Sequence, residues 1–234
     1  MIERALIFAA GRGERMRPLT DATPKPLLKV GGKPLIEYHL EKLARAGVRE
    51  VVINISHLAE QFPAALGDGA RWNLRIHYSY EGQTPLETGG GMHHALPLLG
   101  EAPFIAVNGD IFTDFDFSTL PQNPPGLAHL VLVDNPPQHP RGDFVLRDGL
   151  VHDEEAPRLT FAGIGVYRPE LVAAHAPGKF PLAPLLRAAM RQARISAERH
   201  GGRWTDVGTP QRLAALEADI LGKQGVALQN PQVG

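Results

Sequence analysis

Residues 1–110 alternate between short apolar runs and segments with helical periodicity, and this alternation restricts the possible folds more than any other feature. Largely apolar runs lie at 5–9, 51–55 and 104–107, a further strand is predicted at 74–80, and the helical segments lie at 34–46, 58–66 and 92–99. A short run without polar interruption is typical of a strand buried on both faces. The repeated strand–helix–strand order therefore predicts an α/β fold with a doubly wound, mostly parallel, Rossmann-like sheet.

After residue 110 the alternation becomes less regular. Strands are expected at 127–133 and 159–167, a β-hairpin at 144–151, and helices at 182–192 and 210–221. Because no internal repeat or linker is visible, we expect one domain over residues 1–221, with a small hairpin and helical addition in its second half. The last residues, 222–234, are expected to form a C-terminal tail.

Composition excludes several classes of protein. The absence of Cys excludes disulfides, thiol catalysis, iron–sulfur clusters and thiolate zinc sites. With 24 Lys and Arg against 25 Asp and Glu, the chain has no cationic excess for coating nucleic acid. The histidines lack metal-ligand spacing. No apolar run approaches the roughly 18 residues of a membrane span, and the N-terminus is unlike a secretory signal. We therefore expect a cytoplasmic protein with neither nucleic acid nor membrane as partner.

A glycine-rich, basic loop follows the first predicted strand. Gly11 and Gly13 are interleaved with Arg12, Arg15 and Arg17, and Lys25 follows between two prolines. Backbone N–H groups in such a loop can closely approach an anion at the carboxyl edge of a parallel sheet. Met16 replaces the third glycine of a dinucleotide fingerprint, and no Gly-Lys-Ser/Thr follows as in a Walker A loop. The loop thus predicts a phosphate site of another kind.

The segment 85–91 ends in three consecutive glycines, which we place in a loop between a strand and a helix. Backbone without side chains can lie close against a flat group, so this segment is interpreted as a surface for a nucleobase.

Two acidic residues lie next to predicted elements, one directly after a strand and the other shortly before a helix. Asp110 comes directly after the strand at 104–107, where ligands of parallel sheets bind. Asp206 lies shortly before the helix at 210–221, and Thr209 with Pro210 is expected to begin that helix. Since Mg²⁺ commonly takes one or two protein carboxylates together with phosphate oxygens, the pair predicts a magnesium site.

Together these motifs resemble the sugar-1-phosphate nucleotidyltransferase family. Its signature is a Gly-x-Gly-x-Arg-x-x-Pro-x-Thr loop after a strand and a downstream Pro-Lys, present here at 11–20 and 24–25. Further matching segments lie at 85–91, 108–110, 141–144 and 204–209, so the resemblance extends over residues 3–221.

The resemblance implies an enzyme that makes a UDP-sugar and pyrophosphate from UTP and a sugar 1-phosphate. The members most similar to this chain use N-acetylmuramate 1-phosphate in peptidoglycan recycling. The implied cofactor is Mg²⁺, and the implied assembly is a monomer or a small homo-oligomer.

The resemblance also assigns roles to individual residues. Arg15 and Lys25 would be catalytic, neutralising phosphate charge, and Asp110 and Asp206 would bind the metal. Nucleotide contacts would come from Ala10, Gly11, Gly13, Glu14, Arg15, Lys25, Glu81, Glu87, Thr88 and Gly89. Asn108, Asp143 and Gly163 would face the sugar phosphate.

One segment departs from the family pattern. Hexose-1-phosphate members carry Glu-Lys-Pro after the hairpin, and its lysine meets the sugar phosphate. The corresponding stretch here, 153–157, is Asp-Glu-Glu-Ala-Pro, which leaves that contact unassigned. Thymidylyl, guanylyl or cytidylyl transfer remain alternatives, as does a non-catalytic nucleotide-sugar sensor, although a pure binder has no need for both Asp110 and Asp206.

Overall fold

The structure is a computed structural model that describes residues 1–229. Its strands are β1 (Arg4–Phe8), β2 (Lys29–Val30), β3 (Lys33–Pro34), β4 (Glu50–Ile55), β5 (Arg75–Tyr80), β6 (Phe104–Asn108), β7 (Ile111–Thr113), β8 (Ala128–Val133), β9 (Val145–Arg147), β10 (Leu150–His152), β11 (Thr160–Tyr167), β12 (Ile195–His200) and β13 (Trp204–Asp206). Its α-helices are α1 (Leu19–Ala22), α2 (Leu35–Arg45), α3 (Gln61–Leu66), α4 (Glu87–Leu99), α5 (Glu170–Ala173), α6 (Ala183–Met190) and α7 (Pro210–Gln229). Short 3₁₀ turns occur at Glu14–Met16, Lys25–Leu27, Ala70–Trp72 and Phe117–Thr119.

A nine-stranded sheet in the order β5-β4-β1-β6-β11-β8-β12-β10-β9 forms the centre of the molecule. The neighbours β5, β4, β1 and β6 are all parallel, and we call them the parallel half. The remaining strands form the mixed half, in which β11 and β10 run against their neighbours. The predicted α/β fold class is therefore confirmed, as is the hairpin of the second half, which forms β9 and β10.

Both faces of the parallel half are buried along β1, β4 and β6, as their apolar runs predict, whereas the edge strand β5 is partly exposed. Leu6 pairs with Val52 and packs into the core on one face, whereas Ile7 pairs with Ile53 and packs into the core on the other. A third cluster contains Met16 of the glycine-rich loop and Leu216 of α7. Helix α7 is thereby held close to the beginning of the chain.

Some element boundaries differ from the sequence expectation. Helix α4 begins at Glu87 rather than at residue 92, so the three glycines lie inside it. Helix α7 continues to Gln229, past the expected end at 221. The expected tail thus falls partly on this helix and, at residues 230–234, outside the described residues.

Strand β12 and the two-stranded sheets β2–β3 and β7–β13 were not expected from the sequence. They lack the continuous apolar runs of the parallel half, because several of them are only two or three residues long. Among the described residues, no helix combines the length and the apolar character that crossing a membrane requires.

Candidate active site

The strand order brings the predicted site residues to one edge of the sheet. The glycine-rich loop follows β1, Glu81 follows β5, and Gly109 with Asp110 follows β6. Because these strands are parallel neighbours, the segments after them meet at their shared carboxyl edge. Residues that are far apart in the sequence therefore surround one region.

The glycine-rich loop is closed on itself by short-range hydrogen bonds. Gly13 has φ of 64°, a conformation that favours glycine. Its carbonyl oxygen accepts hydrogen bonds from the Met16 backbone N–H (2.8 Å) and from Thr20 Oγ1 (2.9 Å). A Cβ at residue 13 would lie 2.9 Å from the Thr20 methyl group, so the turn has no room for a side chain.

Asn54, which the sequence analysis missed, anchors the start of this loop. It lies on β4 and is 2% exposed. Its Oδ1 accepts a hydrogen bond from the Ala9 N–H at 2.6 Å, and its Nδ2 donates to Glu81 Oε1 at 2.6 Å. The only sign of its role in the sequence was that Asn54 is a polar residue inside a predicted strand that is otherwise largely apolar.

Glu81 connects Asn54 to the segment that begins α4. Its Oε2 accepts a hydrogen bond from the Leu86 N–H at 2.7 Å. Burial raises the pKa of this carboxyl above its ordinary value, and the two hydrogen bonds oppose that shift. Both carboxylate oxygens therefore have partners within the protein.

The three glycines of α4 allow close packing, and their placement in a loop was wrong because they lie inside this helix. A Cβ on Gly89 would overlap the Phe180 ring, and a Cβ on Gly90 would overlap the carbonyl oxygen of Gly178. A Cβ on Gly91 would overlap Glu81 Oε1 and lie 2.6 Å from Asn54 Nδ2. Small residues are needed here because neighbouring segments occupy the space. The role of Gly89 as a nucleotide contact stays a prediction.

Three adjoining cavities open at this edge of the sheet. The inner cavity is lined by Phe8, Ala9, Ala10, Gly11, Gly13, Lys25, Pro26, Asn54, Glu81, Pro85, Glu87, Thr88, Asn108 and Asp110. The loop cavity is lined by Gly11, Arg12, Gly13, Glu14, Arg15, Met16, Lys25, Thr84, Pro85, Glu87, Lys179 and Gly208. The strand cavity is lined by Arg15, Asn108, Asp110, Ile111, Pro136, Gln138, His139, Thr160, Phe161, Ala162, Trp204, Asp206 and Arg212.

Lys25 and Asp110 lie where these cavities meet. Lys25 Nζ is 2.5 Å from Asp110 Oδ2, although the two residues are 85 positions apart. Lys25 is buried, and Pro24 and Pro26 restrict the backbone on either side of it. It lines the inner and loop cavities, whereas Asp110 lines the inner and strand cavities.

Asp206 lies beside Asp110 because strands β7 and β13 pair. Asp206 is the register partner of Ile111, and the Val207 N–H donates to the Asp110 carbonyl oxygen at 2.8 Å. The Asp206 carboxylate accepts hydrogen bonds from Gln138 Nε2 (2.6 Å) and Arg212 Nη2 (2.8 Å). Both aspartates therefore face the strand cavity.

Asp110 and Asp206 fit Mg²⁺ as a pair of carboxylates that leaves the other ligand positions to substrate and water. Within the described part of the chain, no cluster of three or more His, Asp or Glu residues forms a metal cage. Carboxylate oxygens are hard ligands, and Mg²⁺ is usually bound by one or two of these carboxylates together with substrate phosphates and water.

The three predicted sugar-phosphate residues occupy different depths. Asn108 lines the strand cavity, and Gly163, at φ 73°, lies against its side chain. Asp143 lies behind the wall, where its Oδ1 is 3.0 Å from His139 Nε2 and its Oδ2 accepts a hydrogen bond from the Phe161 N–H at 2.8 Å. His139, which the sequence analysis missed, is the member of this pair that lines the cavity.

The loop cavity has more basic than acidic side chains in its wall, which also contains Glu14 and Glu87. Its wall contains four basic side chains, Arg12, Arg15, Lys25 and Lys179. Arg17, by contrast, forms an exposed ion pair with Asp21 at 3.1 Å. Lys179 was not predicted, since it comes from the loop before α6 and has no local motif; it also lies 3.7 Å from Glu87.

A buried histidine ties α2 to the strand after Asp110. The ring of His39 is 1% exposed, and its Nε2 is 2.9 Å from the Ile111 carbonyl oxygen. Burial lowers the pKa of His39 to about 4, so the ring is neutral near pH 7 and Nε2–H donates this bond.

Comparisons with known proteins show which sequences this chain is similar to. The sequence model of the nucleotidyl transferase family matches residues 4–144. The chain is 52% identical over 224 residues to the N-acetylmuramate alpha-1-phosphate uridylyltransferase of Neisseria meningitidis, covering 92% of this chain and 97% of that protein. It is 35% identical over 232 residues to the protein of the same name from Caulobacter vibrioides, covering 92% and 96%.

The fold also resembles that of a solved structure. The inositol-1-phosphate CTP transferase from T. maritima matches with a TM-score of 0.77, covering 94% of this chain and 96% of that chain. The two sequences are 16% identical, so this likeness concerns the fold alone.

Proposed function

Because the chain belongs to the nucleotidyl transferase family, we propose that it transfers a uridylyl group from UTP to N-acetylmuramate 1-phosphate. The products are the UDP-sugar and pyrophosphate. The choice of base and sugar rests on the printed activity of the relatives from Neisseria meningitidis and Caulobacter vibrioides. These substrates imply a role in peptidoglycan recycling.

The observation that carries this proposal is the Lys25–Asp110 pair at the meeting point of three cavities. The inner cavity takes the uridine, the cationic loop cavity takes the triphosphate, and the strand cavity takes the sugar phosphate. A transferase must bring two polyanions together, and this geometry supports such a meeting between the cavities.

In the proposed reaction an oxygen of the sugar phosphate attacks the α-phosphorus of UTP. A new phosphorus–oxygen bond forms, while the bond from the α-phosphorus to the bridging oxygen breaks, and pyrophosphate leaves with the electron pair. The attacking phosphate is already an anion at neutral pH, so it needs no general base. The barrier is mainly charge repulsion and alignment.

The basic residues reduce this repulsion. Lys25 is buried, so its ammonium acts where the effective dielectric constant is lower than in water, and it neutralises charge between the two substrates. Arg15 lines both the loop cavity and the strand cavity and neutralises the departing pyrophosphate. Asp110 and Asp206 would hold Mg²⁺, which supplies further positive charge to the phosphate oxygens when it is bound.

A pyrophosphate-release screen tests the proposal. UTP, dTTP, GTP and CTP are each combined with the 1-phosphates of N-acetylmuramate, N-acetylglucosamine, glucose and mannose. We expect UTP with N-acetylmuramate 1-phosphate to have the highest kcat/KM. A clear preference for another pair, such as dTTP with glucose 1-phosphate, would overturn the assignment.

A further inference from the structure

The strand cavity contains two carboxylates on the side where the proposed function places a second anion. Asp110 and Asp206 both line it, and a phosphate monoester entering it would be repelled by them. Mg²⁺ held by the two aspartates would offset part of this repulsion, and a cationic side chain at the cavity wall would offset more of it. The segment 153–157 does not provide a cation, because it contains no Lys or Arg. Its Asp153 and Glu154 instead pair with Arg187 (3.1 Å) and Arg147 (2.8 Å).

Two arginines in the described part of the chain line this cavity, and they differ in position. Arg15 is an exposed residue of the glycine-rich loop, and it also lines the neighbouring loop cavity. Arg212 lies in the first turn of α7, where its backbone N–H is 3.3 Å from Thr209 Oγ1, the N-cap. Among the three cavities of the site, only the strand cavity has Arg212 in its wall.

The surroundings of Arg212 hold its guanidinium at the cavity wall. Its Nη2 donates to Asp206 Oδ2 at 2.8 Å, which fixes one edge of the group. A Cβ on Gly208 would overlap this guanidinium, so the glycine leaves the space that the side chain occupies. Its Nε is buried without a hydrogen-bond acceptor in the described protein. The ion pair with Asp206 uses Nη2, so Nη1 is the donor that the guanidinium can offer to a ligand in the cavity.

We infer that Arg212 binds the phosphate of the sugar 1-phosphate, an assignment that rests on the proposed function. A planar guanidinium can pair with Asp206 through one edge and offer other N–H groups to a phosphate oxygen. Arg212 thereby compensates the charge of the two aspartates beside the position that the attacking oxygen of the sugar phosphate occupies before transfer. Arg15 and Lys25 serve the nucleotide side, and Arg212 serves the acceptor side.

The test must separate phosphate binding from the positioning of Asp206. Arg212→Gln removes the charge, whereas Gln138→Met removes the other hydrogen-bond partner of Asp206 and leaves Arg212 in place. Initial rates are measured while each substrate is varied, and inorganic phosphate is used as an inhibitor competing with the sugar 1-phosphate. Thermal melting shows whether each variant folds.

We expect Arg212→Gln to raise both the KM for the sugar 1-phosphate and the Ki for inorganic phosphate by roughly 10- to 100-fold. The KM for UTP should change by less than about threefold, because the nucleotide contacts remain. Gln138→Met removes a neutral donor from the same cavity wall and should raise the Ki for phosphate much less than Arg212→Gln does. Arg212→Lys retains the charge and should recover part of the phosphate affinity.

Three results would overturn the assignment. If Arg212→Gln and Gln138→Met change the kinetic constants alike, Arg212 acts only by holding Asp206. If Arg212→Gln does not fold, Arg212→Lys is tested in its place, and equal rises in the KM for UTP and in the KM for the sugar 1-phosphate would show that Arg212 does not act on the acceptor phosphate. If the native protein is inactive throughout the substrate screen, the proposed function fails first; if it is active and Arg212→Gln retains normal phosphate inhibition, only this inference fails.

Discussion

The two halves of the sheet build their parts of the site differently. At the edge of the parallel half, Asn54, Glu81 and Lys25 are buried. Asn54 donates a hydrogen bond to Glu81, and Lys25 forms an ion pair with Asp110. Beside the mixed half, residues of β11 line the strand cavity together with Asp206 of the separate β7–β13 sheet and Arg212 of α7, and these two charged side chains are only partly buried. The parallel half therefore forms a packed cradle, whereas partly buried charged side chains lie at the wall of the strand cavity beside the mixed half.

This difference leads to a general expectation about substitutions. Changes in the buried cradle should lower the free energy of unfolding, because they disturb close packing and satisfied polar groups. Changes at the wall of the strand cavity should alter the use of the sugar 1-phosphate with little effect on stability. Asp110, which lies between the halves, should affect both substrates.

The largest effect is expected for Asp110→Asn. The substitution preserves shape but removes the charge beside Lys25 and one of the two carboxylates proposed for Mg²⁺. We expect kcat to fall by about 10³-fold or more, in line with the loss of a central electrostatic group, while the melting curve stays cooperative. Pyrophosphate release with saturating UTP and sugar 1-phosphate measures this loss.

Asp116→Asn provides the matched control for this experiment. Asp116 caps the 3₁₀ turn at Phe117–Thr119 by accepting a hydrogen bond from the Ser118 N–H, a role that Asn performs equally well. Its activity should remain close to that of the native protein. Near-native turnover by Asp110→Asn would reject the central position of Asp110 between the two halves.

Gly91→Ala tests the packing of the parallel half. A Cβ here would overlap Glu81 and crowd Asn54, both of which are held in a buried hydrogen-bonded network. We expect a loss of about 1–3 kcal/mol in the free energy of unfolding, measured by urea denaturation. The same change at Gly222 in α7 meets no atom within 4 Å and should stabilise the protein by roughly 0.5–1 kcal/mol. Equal effects at the two positions would show that the α4 glycines are not needed for packing.

The smallest effect is expected for Asp143→Asn in the mixed half. Asp143 does not line the strand cavity itself but contacts His139, which does. Removing the charge of Asp143 should weaken the contact that orients the imidazole, whereas the Phe161 N–H keeps an acceptor. The KM for the sugar 1-phosphate should rise by about 3- to 10-fold, with the KM for UTP unchanged. Asp148→Asn in the hairpin turn, at φ 52°, is a suitable control because Asn adopts this conformation readily. An equal rise in the KM for UTP would contradict the division of the site.

The parallel half was largely predictable because its signals are local. Buried strands appear as continuous apolar runs, and the loop at 11–20 contains its glycines and basic residues within one short segment. The meeting of Lys25 with Asp110 was also foreseeable in outline, since adjacent parallel strands end at the same edge.

Other parts depended on contacts between distant residues. Three consecutive glycines were interpreted as a loop, because local propensity disfavours glycine in a helix. In the structure, contacts with Phe180, Gly178 and Glu81 demand glycine there, so tertiary packing outweighs propensity. Asn54 and Lys179 likewise carry no motif, and each belongs to the site only through its partners from other segments.

By itself the sequence determined the α/β class, the glycine-rich basic loop and the family resemblance, because each depends on periodicity or on residues close together in the chain. Only the tertiary structure decided which side chains share a cavity. The pairing of β7 with β13 places Asp206 and Arg212 beside Asp110. Such contacts arise from strand register and helix placement, and no short stretch of sequence encodes the distance between residues 110 and 212.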